Sequence, residues 1–166
     1  MSRGPDKQFD PEVALSKAMD VFWARGYEGA SLSELLEQMG IGKKSLYDTF
    51  GNKRALFLKA LEYYAKTEVK LMRDQLLAPG SPVENLETVL QNLQQMHSLP
   101  GSKGCMLGTN IADFDTSDSE IAATLRGYLQ DVEDAFCTAI TRAQEVGELK
   151  QQAAPRDLAR MLLCTT

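Results

Sequence analysis

The sequence predicts an all-α fold, and three observations carry that prediction. Apolar residues recur at spacings of three and four from Leu15 to Leu163, the period of an amphipathic helix. Helix-opening signals at Asp10-Pro11, Ser31-x-x-Glu34 and Ser81-Pro82 alternate with glycine stops at Gly26, Gly40 and Gly147. No stretch shows the two-residue alternation of a half-buried strand, and there is no internal repeat or low-complexity tract.

Asp10 caps the first helix, with Pro11 at its first position and Leu15, Ala18, Met19 and Phe22 as its stripe up to Gly26. Ser31-Leu32-Ser33-Glu34 is a capping box that opens a second helix with Leu32, Leu35, Leu36 and Met39 on one face. Gly40 ends it. After Gly40-Ile41-Gly42, residues 43–50 form a short third helix with Leu46 and Phe50 on its inner side. Asn52 caps a long fourth helix from Lys53 to about Leu77, with the stripe Leu56, Phe57, Ala60, Leu61, Tyr64, Leu71 and Met72. The clearest break is "APGSP" at 78–82. A fifth helix then follows Ser81-Pro82, with Leu86, Val89, Leu90, Leu93 and Met96. "SLPGSKG" is a loop, a sixth helix covers about 105–113, and "DFDTSD" is a second loop. The seventh helix carries Ile121, Leu125, Leu129, Val132, Phe136 and Ile140 and stops at Gly147; "AAPRD" starts an eighth. The module boundary falls inside the fourth helix, which gives residues 1–66 and 67–166.

At 166 residues, with 43% hydrophobic and 25% charged, the chain can bury a core as one domain or as a small module fused to a larger one. No apolar run approaches the ~20 residues of a membrane span, and the start "MSRGPDKQFD" lacks a signal-peptide centre, so the cytoplasm is expected and no membrane contact. Cys105, Cys137 and Cys164 are odd in number and widely spaced, which argues against a disulfide framework. Each is expected to be a small buried hydrophobe. His97 is the only histidine, so no zinc-ligand spacing exists, and neither metal nor cofactor is expected. The net charge of −5 argues against non-specific nucleic-acid binding by the whole molecule, but it is unevenly divided. Residues 1–66 carry a net of +1 and residues 67–166 a net of −6, and the window 43–54 holds Lys43, Lys44, Lys53 and Arg54 against Asp48 alone.

"GIGKKSLYDTF", residues 40–50, has two readings. A phosphate-cradling loop fails on spacing, because Glu37 stands where the first glycine would be and Lys44 follows Gly42-Lys43 where Ser or Thr is needed. The dinucleotide fingerprint fails at Ser45, where its third glycine belongs, and residues 32–39 read as helix rather than as the required strand. The other reading is a helix-turn-helix: two helices joined by a glycine-containing turn, the second short, basic, apolar inside and polar outside. Leu46 and Phe50 supply the inside; Lys43, Lys44, Ser45, Asp48 and Thr49 supply the outside. Periodicity alone leaves open a solvated helix in a generic bundle. With one histidine and no paired motif, no catalytic cluster can be assembled, so an enzyme is not expected.

"SLSELLEQMGIGKKSLYDTFGNKRALFLKAL" resembles the DNA-binding motif of TetR-type (tetracycline-repressor-like) transcriptional regulators. The shared features are a Ser-capped second helix, Gly-hydrophobic in the turn, Leu-Tyr-x-x-Phe, and Lys-x-x-Leu opening a long fourth helix; "ALSKAMDVFWARGYEGASL" fits the first helix. The specific match covers about residues 10–61. The resemblance implies that Ser31 caps the second helix and donates to a phosphate, and that Ser33 lies at the groove edge. It implies that Lys43, Lys44 and Ser45 face base edges, that Tyr47 and Lys53 contact backbone phosphates, and that Asp48 and Thr49 are further contacts. Tyr47 could instead be core and Lys53 merely solvated. The chain departs from the family pattern at Gly42, where many members have a capping Ser, and at Lys44, where a small residue is common.

Beyond about residue 70 the resemblance implies a helical ligand-binding and dimerisation domain. The helices beginning at Pro82, near residue 105 and near residue 119 would enclose a pocket, and the last two helices of each subunit would build a four-helix bundle. Met96, His97, Met106, Asn110, Phe114 and Tyr128 are the pocket candidates, each of which could equally be plain core. Arg126 is the only Lys or Arg between Lys103 and Arg142, which favours a small hydrophobic or aromatic inducer over a sugar or an anion. Cys105, near a helix start and close to Lys103, is the one cysteine considered as a redox sensor. Family members have a further helix after the eighth, so a truncated C-terminus with part of the dimer face uncovered is expected. The expected function is a DNA-binding transcriptional regulator: a homodimeric repressor released from a palindromic double-stranded operator by that inducer. The alternatives are a thiol-redox-responsive regulator of the same fold and a helical adaptor that does not bind DNA.

Overall fold

The computed structural model describes residues 9–98, 103–114 and 118–164. Regular structure among the described residues is helical throughout, with no strand. The chain divides into two compact units between Tyr64 and Ala65.

In the first unit, α1 spans Pro11–Gly29, and the Asp10 carboxylate accepts from the N–H groups of Glu12 at 2.8 Å and Val13 at 3.4 Å. The glycine at 26 interrupts this helix where the stop is expected: Gly26 takes φ 69° and ψ 172°, and a short helical stretch follows across the kink to Gly29. The second helix, α2 (Leu32–Met39), is capped by Ser31, whose Oγ accepts from the N–H of Glu34 at 3.1 Å. Only that half of the expected capping box is made. The Glu34 carboxylate turns instead to Arg25 of α1, accepting from its Nε at 3.1 Å, because a guanidinium is a stronger donor than a backbone amide. After α3 (Lys43–Phe50), Asn52 accepts from the N–H of Ala55 at 2.9 Å and starts α4 (Lys53–Tyr64). Helix α1 packs on α2 and α4, and α3 packs on α4. Phe22, Leu35, Leu46, Leu56, Phe57 and Leu61 are fully buried. Each such side chain contributes roughly 1.5–3 kcal/mol by leaving water. Phe22 meets Phe57 edge-on at 4.9 Å, and Trp23 meets Tyr64 edge-on at 5.0 Å.

The second unit opens with a π-helical turn, Ala65–Val69, followed by α5 (Lys70–Leu76). An uninterrupted helix with Leu71 on the apolar stripe is therefore corrected. The wider π turn accommodates an extra residue, so the seven-residue spacing from Tyr64 no longer marks a common face. Leu71 is 69% exposed, and Leu76 is the fully buried residue of α5. The remaining helices are α6 (Pro82–Ser98), α7 (Met106–Phe114), α8 (Ser119–Glu145) and α9 (Pro155–Leu163).

Helix α8 is the centre of this unit and packs against α5, α6, α7 and α9. Its stripe buries Ile121, Leu125, Val132, Phe136 and Ile140, as its periodicity predicts, while Leu129, expected on the same face, is half-buried. Polar contacts fix what the stripe leaves loose. Arg142 donates to the carbonyl of Leu77 at 3.1 Å, while Glu148 accepts from the hydroxyl of Ser81 at 2.7 Å and the N–H of Val83 at 3.2 Å. Arg156 of α9 reaches back to Glu133 at 2.6 Å and Asp134 at 3.0 Å, and Arg160 joins Glu133 at 3.2 Å. The expected burial of all three cysteines does not hold. Cys105 and Cys137 are half-buried free thiols and Cys164 is an exposed one. Cys105 and Cys164 flank helix ends, where neighbouring turns cover a side chain on one side only. Among the described residues, no helix is long and apolar enough to cross a membrane.

Candidate nucleic-acid interface

The turn between α2 and α3 explains how a short basic helix is presented outward. Gly40 lies in the left-handed region at φ 68° and ψ 31°, and its N–H reaches the carbonyls of Leu36 at 3.0 Å and Glu37 at 3.2 Å. The N–H of Ile41 also returns to Leu36 at 3.2 Å, so the last turn of α2 is closed by the residues that leave it. Gly42 is extended, at φ −77° and ψ 159°, and gives α3 no side-chain cap, as its sequence predicts.

Along α3 the two faces separate by residue. Leu46 and Phe50, one turn apart, are buried and hold the helix against the unit. Lys43, Lys44, Tyr47 and Asp48 are exposed, and Ser45 and Thr49 are half-buried at the edges. Tyr47 is 46% exposed, so it straddles the surface rather than filling the core. Ser31 and Ser33 are exposed at the start of α2. Ser31 uses its oxygen as a cap acceptor, which leaves its hydroxyl proton available to an anion. Lys53 is half-buried at the first position of α4, with its Nζ 4.5 Å from the centre of the Tyr27 ring. The Gly26-Tyr27 pair is part of the family resemblance of the first helix, but sequence reasoning gave Tyr27 no role at the site. The available signal was the Gly26-Tyr27 pair, because a kinked glycine re-aims the side chain that follows it.

In the second unit Met106, Asn110 and Phe114 are buried on α7, and Tyr128 is half-buried on α8. The Asn110 amide donates to the carbonyl of Met106 at 2.8 Å. The side chains of Met96 and His97 lie outside the described residues. Among the described residues, no group of three or more His, Cys, Asp or Glu is placed to hold a metal ion.

Two family models match the chain: bacterial regulatory proteins of the tetR family over residues 14–60, and the tetracyclin repressor-like C-terminal domain over residues 82–166. The chain belongs to the TetR family. An uncharacterized HTH-type transcriptional regulator of Bacillus subtilis (strain 168), YezE, is 35% identical over 88% of this chain and 76% of its own length. The HTH-type transcriptional repressor ComR of Escherichia coli (strain K12) is 31% identical over 98% of this chain and 79% of its own length. Among solved structures, a cysteine mutant of the TetR-family regulator CifR, complexed with 26 bp double-strand operator DNA, superposes with a TM-score of 0.81. It is 30% identical, over 97% of this chain and 84% of that one. This TetR-family chain is a DNA-binding transcriptional regulator, and its family is regulatory rather than enzymatic.

Proposed function

We propose that this chain is a repressor that binds a palindromic operator as a homodimer through α3 and leaves it when a small hydrophobic or aromatic inducer binds the second unit. The observation that carries this reading is the two-faced α3. Its buried Leu46 and Phe50 fix the helix while Lys43, Lys44, Tyr47 and Asp48 face water together. Lysines on such a face reach guanine O6 and N7 in a major groove, whereas Tyr47, Ser31 and Lys53 suit phosphate oxygens. Homodimerisation is supported by α9, where Met161 is 59% exposed and Leu162 and Leu163 are only half covered. In the dimer the two α3 helices should lie about 34–36 Å apart, or a multiple of that turn.

The test is operator binding by fluorescence anisotropy on a set of single-base operator variants. Lys43→Ala or Lys44→Ala should lose roughly 1–3 kcal/mol at particular base pairs and relax preference there. Unchanged affinity and unchanged base preference in both variants would sink α3 as the reading helix. For the inducer, an apolar aromatic compound should raise the unfolding temperature and lift operator binding. Release by sugars or anions alone would reject that chemistry, which rests on Arg126 being the only Lys or Arg between Lys103 and Arg142.

A second reading is favoured by one observation. Cys105 is half-buried and sits just before the N-terminus of α7, with its carbonyl accepting from the N–H of Thr109 at 3.0 Å. A thiol at a helix start is the kind that oxidants and electrophiles find first. In this reading Cys105 oxidation releases the operator. Oxidant-driven release that persists unchanged in Cys105→Ser would dismiss it.

A further inference from the structure

We infer that Tyr27 is a positioning residue for DNA binding: its ring holds the Lys53 ammonium ready for a backbone phosphate without neutralising it. This inference rests on the reading of Lys53 as a phosphate contact. The Lys53 Nζ lies 4.5 Å from the Tyr27 ring centroid, within cation–π range. The ring is itself fixed from below. It is tilted against Phe57 at 5.0 Å and stacked with Phe22 at 6.2 Å, and both of those side chains are fully buried. The kink at Gly26, φ 69° and ψ 172°, immediately precedes it and sets the direction in which Tyr27 leaves α1. The core of the unit therefore places a lysine at its surface.

Two physical points separate this arrangement from ordinary packing. A carboxylate partner would also hold a lysine, but it would cancel the charge and repel the phosphate. A ring attracts the cation through its quadrupole and leaves the ammonium charge and its N–H donors for another acceptor. The second point is the helix end. Lys53 is the first residue of α4, whose first turn contains no acidic residue, so its ammonium stands at the positive end of the helix dipole. That placement is unfavourable for the free helix and becomes favourable when an anion approaches. A lysine side chain is otherwise highly mobile, and a ring that limits its rotamers beforehand reduces what must be ordered on binding.

The experiment uses the full chain and its operator, with affinity measured across a salt series. Lys53→Met should reduce the slope of log K against log salt by about 0.9, the value of one phosphate contact. Tyr27→Leu should reduce affinity by about two- to five-fold, the equivalent of an exposed cation–π contact, and reduce the slope with it. Tyr27→Phe, which keeps the ring, should restore both. In the Lys53→Met background Tyr27→Leu should add nothing. Should Tyr27→Leu prove unstable, the free wild-type protein still decides the matter by NMR: the Lys53 εCH2 protons should be shifted upfield by the ring, and an unshifted signal overturns the inference. It is equally overturned if Tyr27→Leu weakens binding with the slope intact, or if Tyr27→Phe fails as Tyr27→Leu does. If wild-type protein binds operator and Lys53→Met keeps the full slope, this inference falls while the reading of α3 stands. If wild-type protein does not bind operator at all, the repressor reading falls first.

Discussion

At Gly26 the backbone takes φ 69° and ψ 172°, a combination that is essentially restricted to glycine. Any side chain there must either accept that strain or straighten the kink, and straightening would pull Tyr27 off Phe22 and Phe57. Gly26→Ala should therefore destabilise the protein by about 1–3 kcal/mol in urea unfolding, and a loss below ~0.5 kcal/mol would show that the kink relaxes freely. Gly42 is the opposite case. Its extended φ of −77° suits any residue, and a Cβ built on it meets nothing within 4 Å. Gly42→Ser should stabilise by roughly 0.5–1 kcal/mol, by capping α3 and restricting the unfolded chain. A destabilised Gly42→Ser protein would mean that the open start of α3 is needed as it stands.

Among the elements, α8 and α9 are joined by charge as well as by apolar contact. Arg156 is hydrogen-bonded to Glu133 and Asp134, and the Asp134 carboxyl is held below its usual pKa, first by Arg156 and then by Gln130. A depressed carboxylate contributes stability that is complete above its unfolded pKa and is lost as pH falls through the folded one. The stability gap between wild type and Arg156→Gln should thus be full at neutral pH and shrink on acidification below the ordinary carboxylate range. Urea unfolding at several pH values measures it, and a gap that does not change with pH would remove Asp134 from the account. Most element boundaries were legible in the sequence because they rest on local chemistry: Asp10, Ser31, Asn52 and Ser81 each bond an N–H two or three residues ahead. The face of α3 was legible for the same reason, since Leu46 and Phe50 fall one turn apart. What escaped was set by contacts distant in sequence or by backbone that no side chain announces. Arg25 drew Glu34 out of its capping box, Lys53 found a ring 26 positions earlier, and the π turn moved Leu71 into water.

Along the whole chain, charge is divided unevenly between the N-terminal part and the rest. Residues 1–66 carry +1 and residues 67–166 carry −6. Non-specific affinity, which depends on phosphate neutralisation, should therefore be weak, and operator binding should exceed binding to a scrambled duplex by about a thousand-fold at ~0.15 M salt. Equal affinity for the two duplexes in a competition assay would contradict sequence reading by α3. The bond from Glu148 to the start of α6 has a consequence for biosynthesis. Glu148 lies 65 positions after Val83, so the ribosome finishes α6 long before it makes the residue that completes its N-terminal cap. From the end of α6 at Ser98 to Glu148, at ~5–20 residues per second, the delay is about 2.5–10 s. Throughout it, the first unit already has every residue of its own core outside or entering the exit tunnel, whereas α6 has neither Glu148 nor the α8 stripe to pack on. The nascent chain should therefore be protected from proteases in its N-terminal unit first, and its second unit should depend on chaperones until α8 emerges.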